Sequence, residues 1–220
     1  MAFDGITISN IVHDLNNTIL GGRLYKIAQP ESDELLLTIK TGQGQFRVVL
    51  SSNASLPLAY ITDDNKPSPA TAPNFVMLLR KHINNGRIIS ITQPSFERII
   101  DIEIEHLDEL GDLCRRHLIT EFMGKHSNII LCDDKNNILD SIKHVSAQMS
   151  SVREVLPGRT YFIPNTAGKH NPMDTDYERF STSVLICPKP LSKALCQTYT
   201  GISTCIAEEI CFRAHIDSSK

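Results

Sequence analysis

The stretch RIISITQPSFERIIDIEIE, residues 87–105, carries the strongest fold signal in this chain. Two runs rich in isoleucine, 87–93 and 97–105, flank Pro94-Ser95. In the second run isoleucine alternates with acidic residues, which is the period of two typical of a strand with one buried face. The stretch therefore predicts an antiparallel hairpin.

Strand-like runs continue on both sides of this hairpin. They cover residues 23–29, 34–40 and 45–51 before it, and 117–123, 127–133 and 137–144 after it. Two helices interrupt the strands. Apolar residues recur at helical spacing from Ile8 to Ile19 and are followed by Gly21-Gly22, and residues 74–86 end in Asn-Asn-Gly.

The C-terminal part of the chain has a helical pattern instead of a strand pattern. Residues 190–214 predict two helices broken at Thr200-Gly201, with Ser203 as the N-cap of the second. We therefore predict an α+β fold in two parts. An antiparallel sheet domain with flanking helices occupies residues 1–175, and a helical module begins at 176 and runs to 220.

Composition limits the classes of function. The chain has 220 residues, 41% of them hydrophobic, and a net charge of −3, so any nucleic-acid binding must use local basic patches. Two short basic runs, 80–82 on the second helix and 115–117 in a predicted loop, are candidates. Runs of this kind more often form a solvated surface than a binding patch, and the sequence does not place the two together.

The cysteines predict neither a metal site nor a disulfide framework. They are scattered, without a CxxC pair or zinc-ligand spacing, so we expect no cofactor and no bound metal. The start of the chain lacks a basic segment followed by a long apolar one, and no stretch reaches transmembrane length. These features favour a cytoplasmic protein that does not enter a membrane.

The stretch EFMGKHSN, residues 121–128, combines a Gly-Lys pair with a serine, as a phosphate-binding loop does. A P-loop also needs glycine five residues earlier and Ser or Thr directly after the lysine, but Ile119 and His126 stand there. The P-loop is excluded. Gly124 permits a tight turn that presents Lys125 and His126, either to phosphate or RNA or simply to solvent.

Two further positions are candidate nucleic-acid contacts. Arg98 could donate in a forked geometry to a phosphate or a base edge, with Glu97 orienting it, although an exposed charged pair at a strand start is the alternative. The segment Thr200–Ser203 resembles the hinge of a helix–hairpin–helix or an ordinary turn between helices. GxSxG and HExxH motifs are absent from the sequence, so we do not expect an enzyme.

Several of these motifs together resemble the N-terminal part of the NFACT family. The family includes bacterial fibronectin-binding protein A-like proteins and their eukaryotic ribosome quality control counterparts. The resemblance runs from residue 1 to about 214. It is carried by MAFDG and IVHDL, GGRLYKI, EFMGKHSNIILCD, VLPGRTY and the tail GIS…AEEICFRA.

The resemblance implies a non-enzymatic role in translation. Family members bind the large ribosomal subunit carrying a stalled peptidyl-tRNA, recruit tRNA and promote C-terminal tailing of the nascent chain, with alanine in bacteria. Their N-terminal domain resembles that of formamidopyrimidine-DNA glycosylases and is followed by a helix–hairpin–helix module. Ala2 and Phe3 stand where those glycosylases carry a catalytic Pro and its neighbouring Glu. The resemblance therefore implies binding without glycosylase chemistry.

The resemblance also implies site residues. A family Asp-Arg pair and an Asp near the N-terminus, implicated in tRNA engagement, correspond to Glu97-Arg98 and Asp4. Glu in place of Asp moves the carboxylate outward by one methylene. We expect Arg98 to contact tRNA while Asp4 and Glu97 hold it. From their chemistry alone, Lys125 and His126 are candidates for a second contact.

Two other functions stay open. One is a surface adhesin that binds fibronectin, as the older family name suggests, and the other is a DNA-binding protein that keeps the glycosylase scaffold. The family's coiled coil and C-terminal RNA-binding domain are not within these 220 residues, so we expect the chain to be a fragment.

Overall fold

The structure of the protein, a computed structural model, describes residues 3–108, 110–164 and 168–218. These residues form the predicted α+β fold, with nine antiparallel strands in one sheet. Ala2, which the glycosylase comparison concerns, lies outside them. The strands are β1 (Arg23–Glu31), β2 (Glu34–Thr41), β3 (Gly44–Ser51), β4 (Leu58–Thr62), β5 (Arg87–Thr92), β6 (Ile99–Leu107), β7 (Leu113–Glu121), β8 (Asn128–Asp133) and β9 (Ile138–Ser141). The α-helices are α1 (Gly5–Ile19), α2 (Asn74–Ile83), α3 (Tyr177–Phe180), α4 (Leu191–Thr198) and α5 (Thr204–Arg213).

The sheet consists of two meanders that meet at β1 and β5. The strand order is β4-β3-β2-β1-β5-β6-β7-β8-β9, and each neighbouring pair is antiparallel. Gly21 N–H donates to the Ile88 carbonyl and Ile88 N–H donates to the Gly22 carbonyl, each at 2.9 Å, which joins the meanders. The hairpin predicted over residues 87–105 is β5–β6, the start of the second meander.

Helices α1 and α2 cover one face of the sheet and enclose the main hydrophobic core with it. From β6, Ile100, Ile102 and Ile104 point into this core and are at most 1% exposed. The predicted alternation is confirmed. Because side chains alternate along a strand, positions 98 and 106 belong to the same face, at opposite ends of the strand.

The other face of β6–β8 is covered by the segment 145–163, which packs on a second hydrophobic cluster. Glu121, the first residue of EFMGKHSN, is fully buried there. It forms an ion pair with Arg153 and accepts a hydrogen bond from the Tyr161 hydroxyl at 2.9 Å. A buried carboxylate is tolerated only when it is paired and hydrogen-bonded in this way. Burial, and then the nearby Glu121 carboxylate, raise the pKa of Tyr161.

The C-terminal helices form a cluster of their own. Leu195 and Tyr199 of the α4 region pack against Ala207 and Cys211 of α5. The predicted break between two helices at Thr200-Gly201 is confirmed, because α4 ends at Thr198 and α5 begins at Thr204. The domain boundary at 176 and the helix–hairpin–helix assignment remain predictions.

One local prediction is wrong. The basic run 115–117 lies in the middle of β7, not in a loop. Three consecutive polar residues fit a strand here because their side chains alternate between the two faces of the sheet near its rim. Arg115 forms an ion pair with Glu103, and His117 binds Asp101 at 3.1 Å, both across the β6–β7 pairing.

Candidate functional site

Asp4 joins the first helix to the C-terminal helices. It is the N-cap of α1, and its Oδ1 accepts from the Thr7 backbone N–H and hydroxyl, each at 2.9 Å. Its Oδ2 accepts from the Ser203 hydroxyl at 2.7 Å. Ser203 is itself the N-cap of α5, as predicted, and accepts from the Ile206 backbone N–H at 3.2 Å. One carboxylate thus binds the starts of two helices.

A close backbone contact runs beside this link. Gly5 N–H donates to the Gly201 carbonyl at 2.8 Å, and Gly201 has a φ of +71°. A Cβ at Gly201 would lie 2.8 Å from Phe96 Cδ1 and 2.9 Å from Gly5 Cα, and closer still to the Phe96 carbonyl oxygen. Only glycine combines this conformation with so little space. We call the contact between these three residues the glycine seam.

The turn that precedes Arg98 is held in a strained conformation. Ser95 and Phe96 have φ values of 50° and 59°, which non-glycine residues rarely adopt. The Gln93 side-chain amide donates to the Gly5 carbonyl at 2.8 Å and to the Glu97 carbonyl at 2.9 Å. Because one amide binds both segments, the turn and the start of α1 are fixed relative to each other.

A cleft of about 250 Å³ opens at this junction. Its lining includes Asp4, Glu97, Arg98, Lys169, Thr200 and Ser203. We call it the Arg98 cleft. The structure therefore brings together three of the predicted site residues, Asp4, Glu97 and Arg98, although 93 positions separate the first two in the sequence.

Arg98 has its hydrogen-bonding capacity available. Its carbonyl accepts from the Phe122 N–H at 2.9 Å, which fixes its backbone to the end of β7. Its half-buried guanidinium has no hydrogen-bond or ion-pair partner in the ranges that the structure describes. Asp4 makes no hydrogen bond to Arg98 in the described structure, and its oxygens accept from Thr7 and Ser203. Asp4 positions the wall of the cleft instead.

The Arg98 cleft carries charges of both signs. Lys169 adds a second cation, whose Nζ donates to the Cys196 carbonyl at 2.7 Å. Asp4 and Glu97 supply carboxylates. A ligand with a phosphate or a base edge could accept from Arg98, and its own donors could reach a carboxylate.

Sequence reasoning missed Lys169. Lys169 lies in the irregular segment 163–174, of which residues 165–167 are outside the described ranges. Its only local signal is a preceding glycine. The bond from Ser203 to Asp4 spans 199 positions and has no local signature.

Lys125 and His126 do not line the Arg98 cleft. They are exposed on a 3₁₀ turn, Gly124–His126, and the nearest atom to a Cβ placed on Gly124 is the Ala54 carbonyl oxygen at 3.8 Å. Their role in binding remains a prediction.

The rest of this tip is structural. Ser127 and Asn128 are buried; Ser127 Oγ accepts from the Met123 N–H at 2.8 Å, and Asn128 exchanges two hydrogen bonds with the Lys143 backbone. Elsewhere in the described part of the chain, we find no helix with the length and apolar character needed to cross a membrane.

Comparison with known sequences identifies relatives. A family model described as NFACT N-terminal and middle domains matches residues 4–220. "Rqc2 homolog RqcH" of Bacillus subtilis (strain 168) is 36% identical over 215 residues, which cover 97% of this chain and 38% of that protein. "Ribosome quality control complex subunit 2" of Saccharomyces cerevisiae is 27% identical over 132 residues, 59% of this chain and 12% of that protein. The chain thus spans well under half the length of either relative.

A solved structure has the same fold. The N-terminal domain of fibronectin-binding protein PavA from Streptococcus pneumoniae superposes with a TM-score of 0.89 at 33% identity, covering 97% of this chain and 80% of that chain. The nine-stranded sheet and its helices are therefore an architecture shared with that domain.

Proposed function

This chain belongs to the NFACT family, and from that membership we propose that it is a tRNA- and ribosome-binding part of a ribosome-associated quality control factor. The names of the bacterial and yeast relatives support this role. The whole factor would bind the large ribosomal subunit with a stalled peptidyl-tRNA and support alanine tailing of the nascent chain in the cytoplasm. This part would act by binding, without chemistry of its own.

The observation that carries the proposal is the state of Arg98. Arg98 is half-buried, lines the cleft and has no partner among the described residues, so its N–H donors are available to a ligand. Guanidinium groups bind phosphates and base edges through paired N–H donors. We therefore assign to Arg98 the direct contact with tRNA.

The neighbouring residues have separate roles in this proposal. Asp4 and Ser203 hold the C-terminal helices against the start of α1, which sets the width of the cleft. Glu97 and Lys169 add an acceptor and a cation to its lining. The helices of residues 190–214, as a helix–hairpin–helix, would place the α5 N-terminus near the same RNA. The sheet would be a glycosylase-like scaffold that has lost its nucleophile.

Arg98→Ala tests the proposal. We expect tRNA affinity, measured by fluorescence anisotropy at fixed salt, to fall by about 1–3 kcal/mol. Arg47→Ala is the matched control, because Arg47 is also half-buried and its Nη1 donates to the Asp63 carbonyl at 3.1 Å, far along the sheet on β3. Both variants remove the same charge and the same atoms.

The binding should also weaken steeply between 50 and 200 mM salt if phosphates are contacted. Equal affinities of the Arg98 and Arg47 variants would disprove the assignment of Arg98. Competition by duplex DNA as strong as that by tRNA would instead favour a DNA-binding scaffold.

A second function is favoured by one comparison. The structural neighbour PavA is named a fibronectin-binding protein, so fibronectin is a candidate ligand here too. Immobilised fibronectin and the purified chain would reveal it. Binding that is unaffected by Arg98→Ala, with the native protein found only outside cells in fractionation, would support the adhesin over the tRNA-binding function.

A further inference from the structure

A second cleft, of about 310 Å³, lies at the other end of β6. Its lining includes Lys81 and His82 from the last turn of α2, and His106 and Arg116 from the β6–β7 hairpin. We call it the basic cleft. Arg116 pairs with Ile104, so it lies on the helix-covered face of the sheet. The two basic runs of the sequence, which no local signal connects, thus meet in space.

The basic cleft concentrates positive charge on a chain whose net charge is −3. Lys81 and Arg116 carry permanent charges, and the two imidazoles add donors. Asp108 also lines the cleft. Its Oδ1, however, already accepts backbone N–H groups from Leu110 and Asp112, each at 2.9 Å. The carboxylate therefore stabilises the hairpin loop, and Lys81 and Arg116 supply positive charge among the described lining residues.

Arg116 carries a donor that the protein does not use. Its Nη1 donates to the Arg115 carbonyl at 2.8 Å, but its Nε is buried and has no hydrogen-bond partner in the described residues. Buried donors of this kind are rare in folded proteins and call for an explanation. Asp133 lies opposite Arg116 in the β7–β8 pairing, but its carboxylate accepts from Asn137 and Lys135. A small reorientation of the guanidinium towards an anion in the cleft would satisfy it.

The other members of the two basic runs have different partners. Arg80 donates to the Ile27 carbonyl at 2.8 and 3.1 Å, on the first meander. Arg115 is on the opposite face of β7 and pairs with Glu103. The two runs therefore face different parts of the surface, and their members that line the cleft are Lys81, His82 and Arg116.

We propose that the basic cleft binds a backbone phosphate of the same RNA that Arg98 engages, an inference that rests on the proposed function. Positions 98 and 106 are on one face of the sheet and eight residues apart, which at 3.3 Å per residue is about 26 Å. That length matches roughly eight nucleotides of a stacked strand at 3.4 Å each. A single RNA strand of that length can therefore span the distance between the two clefts.

Backbone phosphate is the ligand chemistry that the lining favours. A guanidinium and an ammonium close together bind phosphate oxygens well, and two imidazoles can donate to the remaining oxygens. Contacts of this type set the register of an RNA on a protein but do not discriminate its sequence. The Arg98 cleft differs because it has both donors and acceptors, which is what discrimination between bases requires.

Arg116→Gln in the full chain, with Arg115→Gln as matched control, tests the inference. Both remove one arginine charge from β7, on opposite faces. We expect Arg116→Gln to weaken tRNA binding about fivefold to tenfold at 0.1 M salt, and to make the slope of log affinity against log salt shallower by about one. Arg116→Lys should restore the slope. Lys81→Gln, at an exposed position, should reproduce the loss.

The outcomes separate this inference from the proposed function. If Arg98→Ala abolishes binding while the Arg116 and Lys81 variants match the Arg115 control, the basic cleft does not hold RNA and the Arg98 assignment stands. If the basic-cleft variants lose affinity and Arg98→Ala does not, the basic cleft holds RNA and the assignment of Arg98 is wrong. Displacement of tRNA by polyglutamate as readily as by polyuridylate would overturn the assignment to phosphate in favour of an acidic peptide.

Discussion

Gly201→Ala should separate the C-terminal helices from the first helix. The added methyl group would meet the Phe96 carbonyl oxygen and ring on one side and Gly5 Cα on the other. Two of these three contacts are with backbone atoms, which cannot move aside as the end of a flexible side chain can. The φ of +71° is also unfavourable for alanine but not for glycine, which adds a conformational free-energy cost.

The magnitude follows from two contributions. A left-handed conformation costs an alanine about 1–2 kcal/mol, and inserting a methyl group into a close-packed contact costs about 1–3 kcal/mol. Together these predict a loss of about 2–5 kcal/mol. For a domain of this size 1 kcal/mol corresponds to about 2–4 °C in Tm, so we expect a fall of roughly 4–20 °C.

Gly158→Ala is the matched control. Gly158 has a φ of +80°, but a Cβ there would meet nothing within 4 Å. This variant therefore has the conformational cost without the steric one. Thermal unfolding of both variants, followed by circular dichroism, isolates the steric contribution. Faster amide hydrogen exchange in α5 of the Gly201 variant would show that the seam itself has opened. Equal Tm values for the two variants would refute the steric argument.

Two other predictions concern buried and half-buried charges. Glu121→Gln should destabilise the protein by about 3–5 kcal/mol in urea unfolding, because Arg153 would keep its charge in a buried site; a loss under 1 kcal/mol would contradict this. The hydrogen bond to Asp101 raises the pKa of His117 above its ordinary value. The protonated imidazole therefore stabilises the fold fully below about pH 6.5, and the contribution disappears as the pH rises through the raised pKa. His117→Gln should consequently cost about 1 kcal/mol at pH 5.5 and clearly less at pH 8.5, and a pH-independent cost would contradict the ion pair.

The sheet was predictable where apolar alternation is strong. Strand β6 shows it, since its core isoleucines are separated by acidic residues that face the other side. Strand β4 was not predicted, because only Ala59 of its five residues is buried and no alternation can form. In the basic run of β7, burial on either face is partial, so hydrophobicity does not distinguish strand from loop.

The sequence predicted which residues lie together at the candidate site, but it did not predict the hydrogen bonds between them. Family resemblance placed Asp4, Glu97 and Arg98 in one site, and the structure brings them to one cleft. The sequence could not show that Ser203 binds Asp4, because that bond joins residues 199 positions apart. That Asp4 helps to hold Arg98 stays a prediction, and the structure shows the Asp4 oxygens accepting from Thr7 and Ser203.

The distance in sequence between Asp4 and Ser203 has a consequence for synthesis. Residue 4 leaves the ribosome first, but its partner at 203 follows 199 residues later. At about 5–20 residues per second, that delay is roughly 10–40 s. Once β9 has been made, the nascent sheet can fold with Arg98 in place, yet the opposite wall of the cleft does not exist until residues 200–203 follow. Newly made molecules therefore acquire the complete Arg98 cleft only near the end of translation of this region, and not while the sheet is being made.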